Sequence, residues 1–199
     1  MLPIAIKKLA DTLKSLPGIG PRQAMRIAFY IAERGREALP QFADAALAMK
    51  AVLPCTQCFL LHENKDGLCH VCANPARKKS LIAIVEKATD LLSLEKARAW
   101  NGRYLVIGEI GRGGVMESET KIRLAALQKF IKDECGGAAE EIMLAVSPTA
   151  QGDLNAAMLE TTLRPMAQKI SRLGRGIPTG GEIEFADEET LKSALDRRS

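Results

Sequence analysis

Four cysteines in the first half of the sequence have the spacing of metal ligands. Cys55 and Cys58 form one Cys-x-x-Cys pair, Cys69 and Cys72 form a second, and ten residues separate the pairs. A two-residue spacer is a tight turn with both sulfurs on its inner side, and two such pairs supply the four soft ligands that tetrahedral zinc prefers. Because protein ligands fill all four positions, none is left for water. The sequence therefore predicts one structural Zn²⁺ per chain and not a catalytic one.

Other chemistry for these cysteines is less well supported. A disulfide pair would suit an oxidising compartment, which nothing in the sequence indicates. Thioredoxin-like redox chemistry uses a single Cys-x-x-Cys near a βαβ unit. His62 or His70 could replace a thiolate, but we expect both to be loop residues. Between the two pairs, Asp66-Gly67 stands where the turn of a short hairpin is expected.

A glycine-rich segment between two predicted helices is the second candidate site. Apolar residues recur at helical spacing on either side of the sequence Leu-Pro-Gly-Ile-Gly-Pro at residues 16–21. Pro21 suits the first turn of the second helix, where its missing N–H costs nothing. The free N–H groups at that helix start lie beside Gly18 and Gly20, which have no side chains, so they form a ready site for a phosphate oxygen.

Two arginines follow this turn. Arg22 and Arg26 stand one helical turn apart and can add charge-assisted contacts to phosphate. The segment resembles the helix-hairpin-helix motif of DNA-binding proteins, which holds the nucleic-acid backbone without reading bases. The alternative is an αα-hairpin that only packs a core or a dimer interface. The residues predicted to contact DNA are Lys8, Lys14, Gly18, Gly20, Arg22 and Arg26.

Apolar spacing also predicts which faces the N-terminal helices bury. The stripe of the first helix comprises Ile6, Leu9, Ala10, Leu13 and Leu16. The stripe of the second comprises Ala24, Ile27, Ala28 and Ile31. A third helix is expected over residues 36–53, ended by Pro54. Its inward-facing residues are expected to be Phe42, Ala45, Ala46, Met49 and Val52 or Leu53.

Charge is distributed unevenly along the chain. Residues 1–79 contain twelve Lys and Arg against six Asp and Glu, a net charge of +6, whereas residues 80–199 contain sixteen against eighteen, a net charge of −2. The basic first half is the part expected to meet an acidic partner such as nucleic acid. Residues 74–79 read as a linker, and we expect its three adjacent cations, residues 77–79, to be solvated.

From residue 80 onward, apolar runs of strand length alternate with helical patterns. Strands are expected at residues 81–86, 103–108, 141–147 and 169–173, and helices at 89–99, 117–133, 154–167 and 187–197. Strands that are apolar throughout indicate a parallel sheet covered on both faces. In such a sheet, functional groups gather at the carboxyl ends of the strands. Residues expected to face inward from the helices include Ile122, Leu191 and Leu195.

Glu86 ends the first strand of this sheet, and Asp90 follows four residues later. This placing resembles the Toprim domain of primases, topoisomerases and some nucleases, which pairs such a glutamate with an Asp-x-Asp to hold magnesium. At the corresponding later position this chain has Ser-Pro-Thr, residues 147–149, followed by Asp153. The resemblance therefore implies a Toprim-like fold without catalysis, in which Glu86 and Asp90 contact a partner protein. The alternative for Glu86 is that it is simply a strand-end residue. The alternative for the domain is a magnesium-dependent nuclease or primase-like enzyme.

Several other functions lack the motifs they need. The glycine-rich loop at residues 108–114 has no Gly-Lys-Ser/Thr and is expected to be a flexible surface loop. No run of eighteen apolar residues predicts a membrane span. The N-terminus lacks the basic-then-apolar order of a signal peptide. We therefore expect no membrane association and a cytoplasmic location, where thiolates stay reduced.

The order of these parts resembles the RecR family of bacterial recombination mediators over nearly the whole chain. The matching segments are the hairpin at residues 16–22, the four cysteines, and Gly-Ile-Pro-Thr-Gly-Gly-Glu-Ile-Glu at residues 176–184. The resemblance implies a homo-oligomer, a dimer or a ring-shaped tetramer, that encircles or clamps DNA without catalysis. It also implies the partners RecO and RecF, and loading of the RecA recombinase onto gapped single-stranded DNA.

The predicted fold is a mixed α+β and α/β architecture in four segments. Residues 1–53 form a helix-hairpin-helix DNA-binding region, and residues 54–79 form a zinc finger and linker. Residues 80–173 form a Toprim-like domain around a parallel sheet, and residues 174–199 form an oligomerisation tail. The alternative to a DNA-binding protein is a structural one. In that case the chain is a zinc-stabilised scaffold whose hairpin joins subunits and does not contact DNA.

Overall fold

Two units, residues 1–52 and residues 53–199, make up the chain. The computed structural model describes residues 2–111 and 116–196, with the backbone alone at residues 36–38. Buried clusters of apolar side chains lie within each unit. No helix in these described ranges is long and apolar enough to cross a membrane.

The first unit consists of helices α1 (Ile4–Lys14), α2 (Pro21–Glu33) and α3 (Gly35–Ala48), followed by a 3-10 turn at Met49–Ala51. α1 and α2 pack together through Ala10, Leu13, Ala24 and Ala28, which are buried. Alanine at three of these four positions lets the two helices approach closely. The predicted stripes are therefore confirmed at their centres, whereas Leu16 lies beyond the end of α1 and is exposed.

The third helix does not bury the face that its pattern predicts. Phe42 and Met49 are 46% and 62% exposed, and Ala45 and Ala46 are exposed as well. The helix also ends at Ala48, five residues before the predicted end. Periodicity shows which side chains share a face, but the described part of this unit provides no layer to cover it. The predicted inward face of α3 is therefore wrong for the single chain.

The second unit begins with the segment that carries the four cysteines. Its elements are β1 (Leu53–Pro54), β2 (Leu61–His62) and the single-turn helix α4 (His70–Ala73). β1 pairs with β2 in antiparallel orientation, so the hairpin encloses the first cysteine pair and does not lie between the two pairs as predicted. Gly67 still forms a turn at the expected place, with φ +75°. Its carbonyl accepts a hydrogen bond from the Thr56 N–H at 3.0 Å.

The main sheet of the second unit has four parallel strands in the order β4-β3-β5-β6. The strands are β3 (Lys78–Val85), β4 (Gly102–Val106), β5 (Ala139–Ala145) and β6 (Ala167–Arg172). The helices are α5 (Ala88–Ala97), α6 (Ser118–Glu134), α7 (Ala150–Leu163) and α8 (Glu188–Asp196), with 3-10 turns at Arg164–Met166 and Ile183–Phe185. The predicted parallel sheet is confirmed.

Both faces of this sheet are covered, and the covers differ. In β3, Ile82 and Ile84 pack with α6 and α7, whereas Ala83 and Val85 point to the other face, because successive side chains of a strand alternate. On that other face the cover comes from Leu91 of α5 and from the cysteine segment itself. The cysteine segment is therefore part of the core of the second unit, which sequence order does not indicate.

Two of the predicted inward residues lie on exposed faces. α6 buries Leu124, Leu127 and Ile131, and Ile122 lies outside this stripe, 64% exposed. Leu195 of α8 is also exposed, and Leu191 is half-buried. The start of α8 is capped, because the Asp187 carboxylate accepts a hydrogen bond from the Thr190 N–H at 2.8 Å.

Candidate metal centre and nucleic-acid interface

The four cysteines converge on one point. Their Sγ atoms lie within 4.8 Å of one another and all four residues are buried. The Sγ atoms of Cys58 and Cys69 are 3.5 Å apart. Zinc binds thiolate sulfur at about 2.3 Å, so a tetrahedral site needs sulfurs separated by roughly 3.8 Å. The cluster can hold a metal ion, and its four soft donors are those that zinc prefers.

The local backbone supports the thiolate form of these cysteines. The Cys69 N–H points to Cys55 Sγ at 3.4 Å, and the Cys72 N–H points to Cys69 Sγ at 3.5 Å. A hydrogen bond from the Cys58 thiol lowers the pKa of Cys55, and the same contact raises the pKa of Cys58. Since the thiolate is the metal ligand, a bound cation would favour the thiolate form of all four cysteines.

Two residues of the edge strand β4 hold the cysteine segment to the sheet. The Val106 N–H in β4 donates to the Cys58 carbonyl at 2.9 Å. Arg103, also in β4, donates from Nη1 to the Val71 carbonyl at 3.1 Å and to the Cys72 carbonyl. An uncovered β4 would present unpaired backbone groups of the kind that recruit other strands. Sequence reasoning missed both contacts, because Arg103 and Cys72 are 31 residues apart.

The two histidines lie outside the cluster. His62 belongs to β2, and its Nδ1 accepts a hydrogen bond from the Asn64 N–H at 3.0 Å. His70 is the first residue of α4 and is exposed. Neither is a loop residue, so that prediction was wrong. Within the described ranges, the group of potential metal ligands consists of the cysteines alone.

The turn between α1 and α2 is open to a bulky ligand. Gly18 has φ +79°, in the left-handed region that glycine enters without strain. Pro21 is the first residue of α2, as predicted, and Gly20 is its N-cap. A Cβ added at Gly18 or Gly20 would meet no atom within 4 Å. The N–H groups of Arg22 and Gln23 in the first turn have no acceptor within the helix.

The four predicted DNA-contact cations lie in the same unit as this turn. Arg22, Arg26 and Lys8 are exposed, and their side chains make no ion pair with any residue that the structure describes. Lys14 pairs with Asp11 at 3.4 Å, and more than half of each side chain is exposed. Such a surface pair contributes about 0–1 kcal/mol, so it leaves Lys14 available to phosphate.

The two carboxylates predicted to contact a partner differ in what holds them. Glu86 directly follows β3, and its Oε2 accepts a hydrogen bond from the Ser147 N–H at 3.1 Å, across the carboxyl ends of two neighbouring strands. Asp90 accepts from the Lys87 N–H at 2.9 Å and completes the N-terminal cap of α5. The Asp90 carboxylate therefore has a structural role whatever else it contacts.

Ser147-Pro148-Thr149, which stands in place of an Asp-x-Asp, leads directly into helix α7. The Thr149 hydroxyl caps the helix by accepting from the Gly152 N–H at 3.1 Å. Asp153, in the first turn, forms ion pairs with Arg172 and Arg175. The carboxylate of Asp153, which follows the Ser-Pro-Thr segment, is therefore already paired with two arginines.

Gly152 is required by the path of the backbone. A Cβ added there would lie 1.9 Å from the Ser147 carbonyl oxygen. We expect Gly152→Ala to shift the first turn of α7 and to lower the free energy of unfolding by about 1–3 kcal/mol, the usual cost of overpacking. Urea denaturation checks this, with Gly176→Ala as the control because a Cβ added at Gly176 meets nothing within 4 Å. An equal effect in both variants would contradict the assignment.

The three cations of the predicted linker differ in their exposure and in their partners. Arg77 forms an ion pair with Glu95, and its Nη1 also donates to the Gly102 carbonyl at 3.1 Å. Lys79 pairs with Glu134 at 2.6 Å. Both pairs join the linker to the sheet unit, and Lys78 is the first residue of β3. The prediction of solvated cations is therefore wrong for Arg77, whereas Lys78 and Lys79 are exposed.

The predicted surface loop at residues 108–114 lies partly outside the described residues, because the description stops at residue 111 and resumes at residue 116. Gly108 has φ +84° and lies near the Arg123 guanidinium.

Comparison with known proteins finds three family models along the chain. The RecR helix-hairpin-helix model matches residues 6–49, a Toprim domain model matches residues 80–174, and the RecR C-terminal model matches residues 176–199. The cysteine segment lies between the first two matches. The three matches follow the order that the sequence predicts.

Curated relatives cover nearly the whole chain. Recombination protein RecR of Synechococcus sp. (strain CC9605) is 38% identical over 192 residues, covering 96% of this chain and 97% of the relative. The protein of the same name from Parasynechococcus marenigrum (strain WH8102) is 38% identical over 197 residues, with coverage of 96% and 97%. That of Rippkaea orientalis (strain PCC 8801 / RF-1) is 36% identical over 196 residues, with coverage of 97% and 95%. With this hairpin, this cysteine cluster and this sheet, the chain belongs to the RecR family.

Proposed function

We propose that this protein is a non-catalytic, DNA-binding mediator of recombinational repair, which helps to load RecA onto gapped single-stranded DNA together with RecF and RecO. The observation that carries the proposal is the open turn before α2. Gly18 and Gly20 leave space beside the free N–H groups of the helix start, and Arg22 and Arg26 are exposed there. These are the elements of a phosphate-binding site that is indifferent to base sequence.

Assembly would make such weak contacts effective. One hairpin offers a few phosphate contacts, but several hairpins in one oligomer bind the same strand at a high effective concentration. The exposed apolar side chains of α2 and α3 support self-association as a dimer or a ring-shaped tetramer, because a monomer rarely leaves so many uncovered. They are Phe29, Tyr30, Leu39, Phe42 and Leu47.

A catalytic role is disfavoured by the carboxylates at the strand ends. A magnesium-dependent Toprim enzyme needs several carboxylates around its ion. Here Glu86 accepts a hydrogen bond from Ser147, whose segment replaces an Asp-x-Asp, and Asp153 is paired with Arg172 and Arg175. We propose instead that Glu86, and Asp90 beside it, contact RecO or RecF. A magnesium-dependent shortening of labelled DNA on a denaturing gel would overturn the non-catalytic assignment.

We propose that the cysteine cluster holds one structural Zn²⁺ per chain. Cys55, Cys58, Cys69 and Cys72 would be its ligands, and bound zinc would cross-link the two turns that carry them. This role requires reduced thiols, which fits a cytoplasmic location.

The double variant Arg22→Ala/Arg26→Ala tests the DNA-binding proposal. Because these side chains are expected to contact phosphate, we expect weaker binding to a labelled gapped duplex, by a similar factor for different sequences. The slope of log affinity against log salt should become shallower by about 0.7–0.9 for each lost contact. Fluorescence titration at several salt concentrations measures both quantities.

The matched control is Lys121→Ala/Lys129→Ala, which removes the same charge from exposed positions on α6. It should retain most of the affinity and the wild-type slope. If both double variants behave alike, or if the arginine variant keeps the wild-type slope, the hairpin does not bind DNA. The protein would then be a zinc-stabilised scaffold in which the hairpin serves packing alone.

A further inference from the structure

Arg103 is a buried arginine without a carboxylate partner. It is 6% exposed, and its Nη1 donates to the carbonyls of Val71 and Cys72. Its Nε has no hydrogen-bond partner among the residues that the structure describes. In the part of the chain that the structure describes, no carboxylate lies within ion-pair distance of its guanidinium. Burial of an unbalanced charge is costly, so the position calls for a source of negative charge.

The other well-covered arginines of this unit are balanced by carboxylates. Arg77 pairs with Glu95, and Arg123 pairs with Glu119. Glu134 is not the missing partner of Arg103, because it is exposed and pairs with Lys79 at 2.6 Å. Lys79 is also the main cause of the lowered pKa of Glu134, and Arg103 contributes least.

The cysteine cluster can supply the missing charge when it holds a metal ion. Arg103 contacts the backbone of Cys72 directly, and Cys72 is one of the four clustered cysteines. A divalent ion held by four thiolates carries a net charge of about −2. The backbone N–H groups of Cys69 and Cys72 point at sulfurs, but they supply only partial charges. Arg103 supplies a full positive charge within the same buried region.

We propose that Arg103 is the positioning residue and counter-charge of the metal centre: it holds the second cysteine pair through the carbonyls of Val71 and Cys72 and balances the negative tetrathiolate site. The inference rests on the metal assignment of the proposed function. It also explains why a permanently charged side chain stands in an otherwise apolar strand, since Arg103 is followed in β4 by the buried Tyr104, Leu105 and Val106.

Two substitutions separate charge from hydrogen bonding. Arg103→Lys and Arg103→Gln can each donate to a carbonyl, but only the lysine keeps the charge. The metal-loaded full-length proteins are mixed with an excess of a zinc-binding dye, and the release rate is measured well below each melting temperature. Loss of residues that support metal ligands typically weakens metal binding about 10- to 100-fold. We expect Arg103→Gln to release metal at least about tenfold faster than wild type and Arg103→Lys to stay within about threefold.

A control shows whether a general loss of packing is responsible. Arg77→Met/Glu95→Leu removes a buried arginine together with its carboxylate and leaves the cysteine segment untouched, so its release rate should stay within about twofold of wild type. Equal release from wild type and Arg103→Gln, or equally fast release from Arg103→Gln and Arg103→Lys, would overturn the counter-charge. If Arg103→Gln does not fold, Arg103→Lys decides, because a tenfold faster release from it contradicts the proposal.

A second readout reports on the sulfurs directly. In the cobalt-substituted proteins, a nearby positive charge stabilises the thiolate electrons and raises the energy of the sulfur-to-cobalt absorption. We expect this band to shift to longer wavelength in Arg103→Gln and to be unshifted in Arg103→Lys. Elemental analysis of the wild type separates the two levels of inference. If the wild type contains no bound metal, the metal assignment itself is wrong. If the wild type contains metal but Arg103→Gln has the wild-type release rate and absorption band, only the role proposed for Arg103 is wrong.

Discussion

Cys58→Ser is expected to abolish stable metal binding and to unfold the cysteine segment together with the β4 edge of the sheet. Structural zinc contributes on the order of 10 kcal/mol to folding in small zinc modules, and a serine hydroxyl is a poor substitute for a thiolate. The Cys58 carbonyl also accepts the Val106 N–H, so a disordered Cys58 leaves a backbone donor of β4 unpaired. We expect the melting temperature of residues 53–199 to fall by more than about 15 °C.

The location of the damage is a sharper test than its size. From sequence order alone, loss of a zinc ligand is expected to destabilise the N-terminal half. In the structure, the cysteine segment shares a core with Ala83 and Val85 of the sheet, whereas α1 and α2 have a core of their own. Hydrogen exchange should therefore rise in residues 53–73 and 102–106 and stay near wild type in residues 4–33.

Cys135→Ser is the matched control for Cys58→Ser. Cys135 is a half-buried thiol outside the cluster, and its Sγ lies 3.5 Å from the Lys79 carbonyl. Burial raises the pKa of Cys135, which keeps it protonated and unreactive. This variant should retain one metal ion per chain and nearly the wild-type melting temperature. A Cys58→Ser protein with full metal content and unchanged melting would remove the zinc assignment.

The parts of this fold that local patterns determine could be predicted from the sequence. The cysteine pairs can converge on one ion because each spacer is too short for anything but a turn. Pro21 fixes the start of α2 in the same way, and the apolar runs of β3 and β5 require a sheet covered on both sides. In each of these cases the information lies within a few residues.

The remaining features depend on pairings between distant segments. In the sequence, Arg103 is a charged residue in an otherwise apolar strand. Only the structure shows that it donates hydrogen bonds to the carbonyls of Val71 and Cys72. The packing of the cysteine segment on the sheet has no sequence signature, because Leu60 and Val71 are ordinary apolar residues. The exposed helix α3 shows the converse limit: periodicity predicts which side chains share a face, but a single sequence does not say whether the same chain or a second copy covers it.

The same limit applies to Arg77, for which the largest effect after Cys58 is expected. Its ion pair with Glu95 is well covered, with 14% and 19% of the two side chains exposed. The Tyr104 hydroxyl donates to the same carboxylate at 2.7 Å, and burial together with this hydrogen bond raises the pKa of Tyr104. Arg77 also donates to the Gly102 carbonyl at the start of β4. One side chain thus joins the linker, α5 and the edge strand.

Glu95→Leu should lower the free energy of unfolding by about 3–5 kcal/mol, because it leaves the Arg77 charge and the Tyr104 hydroxyl without a partner. In Arg77→Met/Glu95→Leu the uncompensated charge is gone, so the loss should shrink by at least about 2 kcal/mol. Denaturant unfolding of wild type, both single variants and the double variant gives the coupling energy. Additive losses would show that the pair is not coupled.

Glu134→Gln provides the exposed counterpart within the same linker. It breaks the pair with Lys79, in which 51% of the lysine side chain and 43% of the glutamate side chain are exposed, and it should leave unfolding nearly unchanged. The two ion pairs start from residues two positions apart in a run of three cations, so sequence alone treats them alike. A large loss in Glu95→Leu beside a negligible one in Glu134→Gln would show that burial, and not the presence of an ion pair, decides how much a linker cation contributes to the stability of this unit.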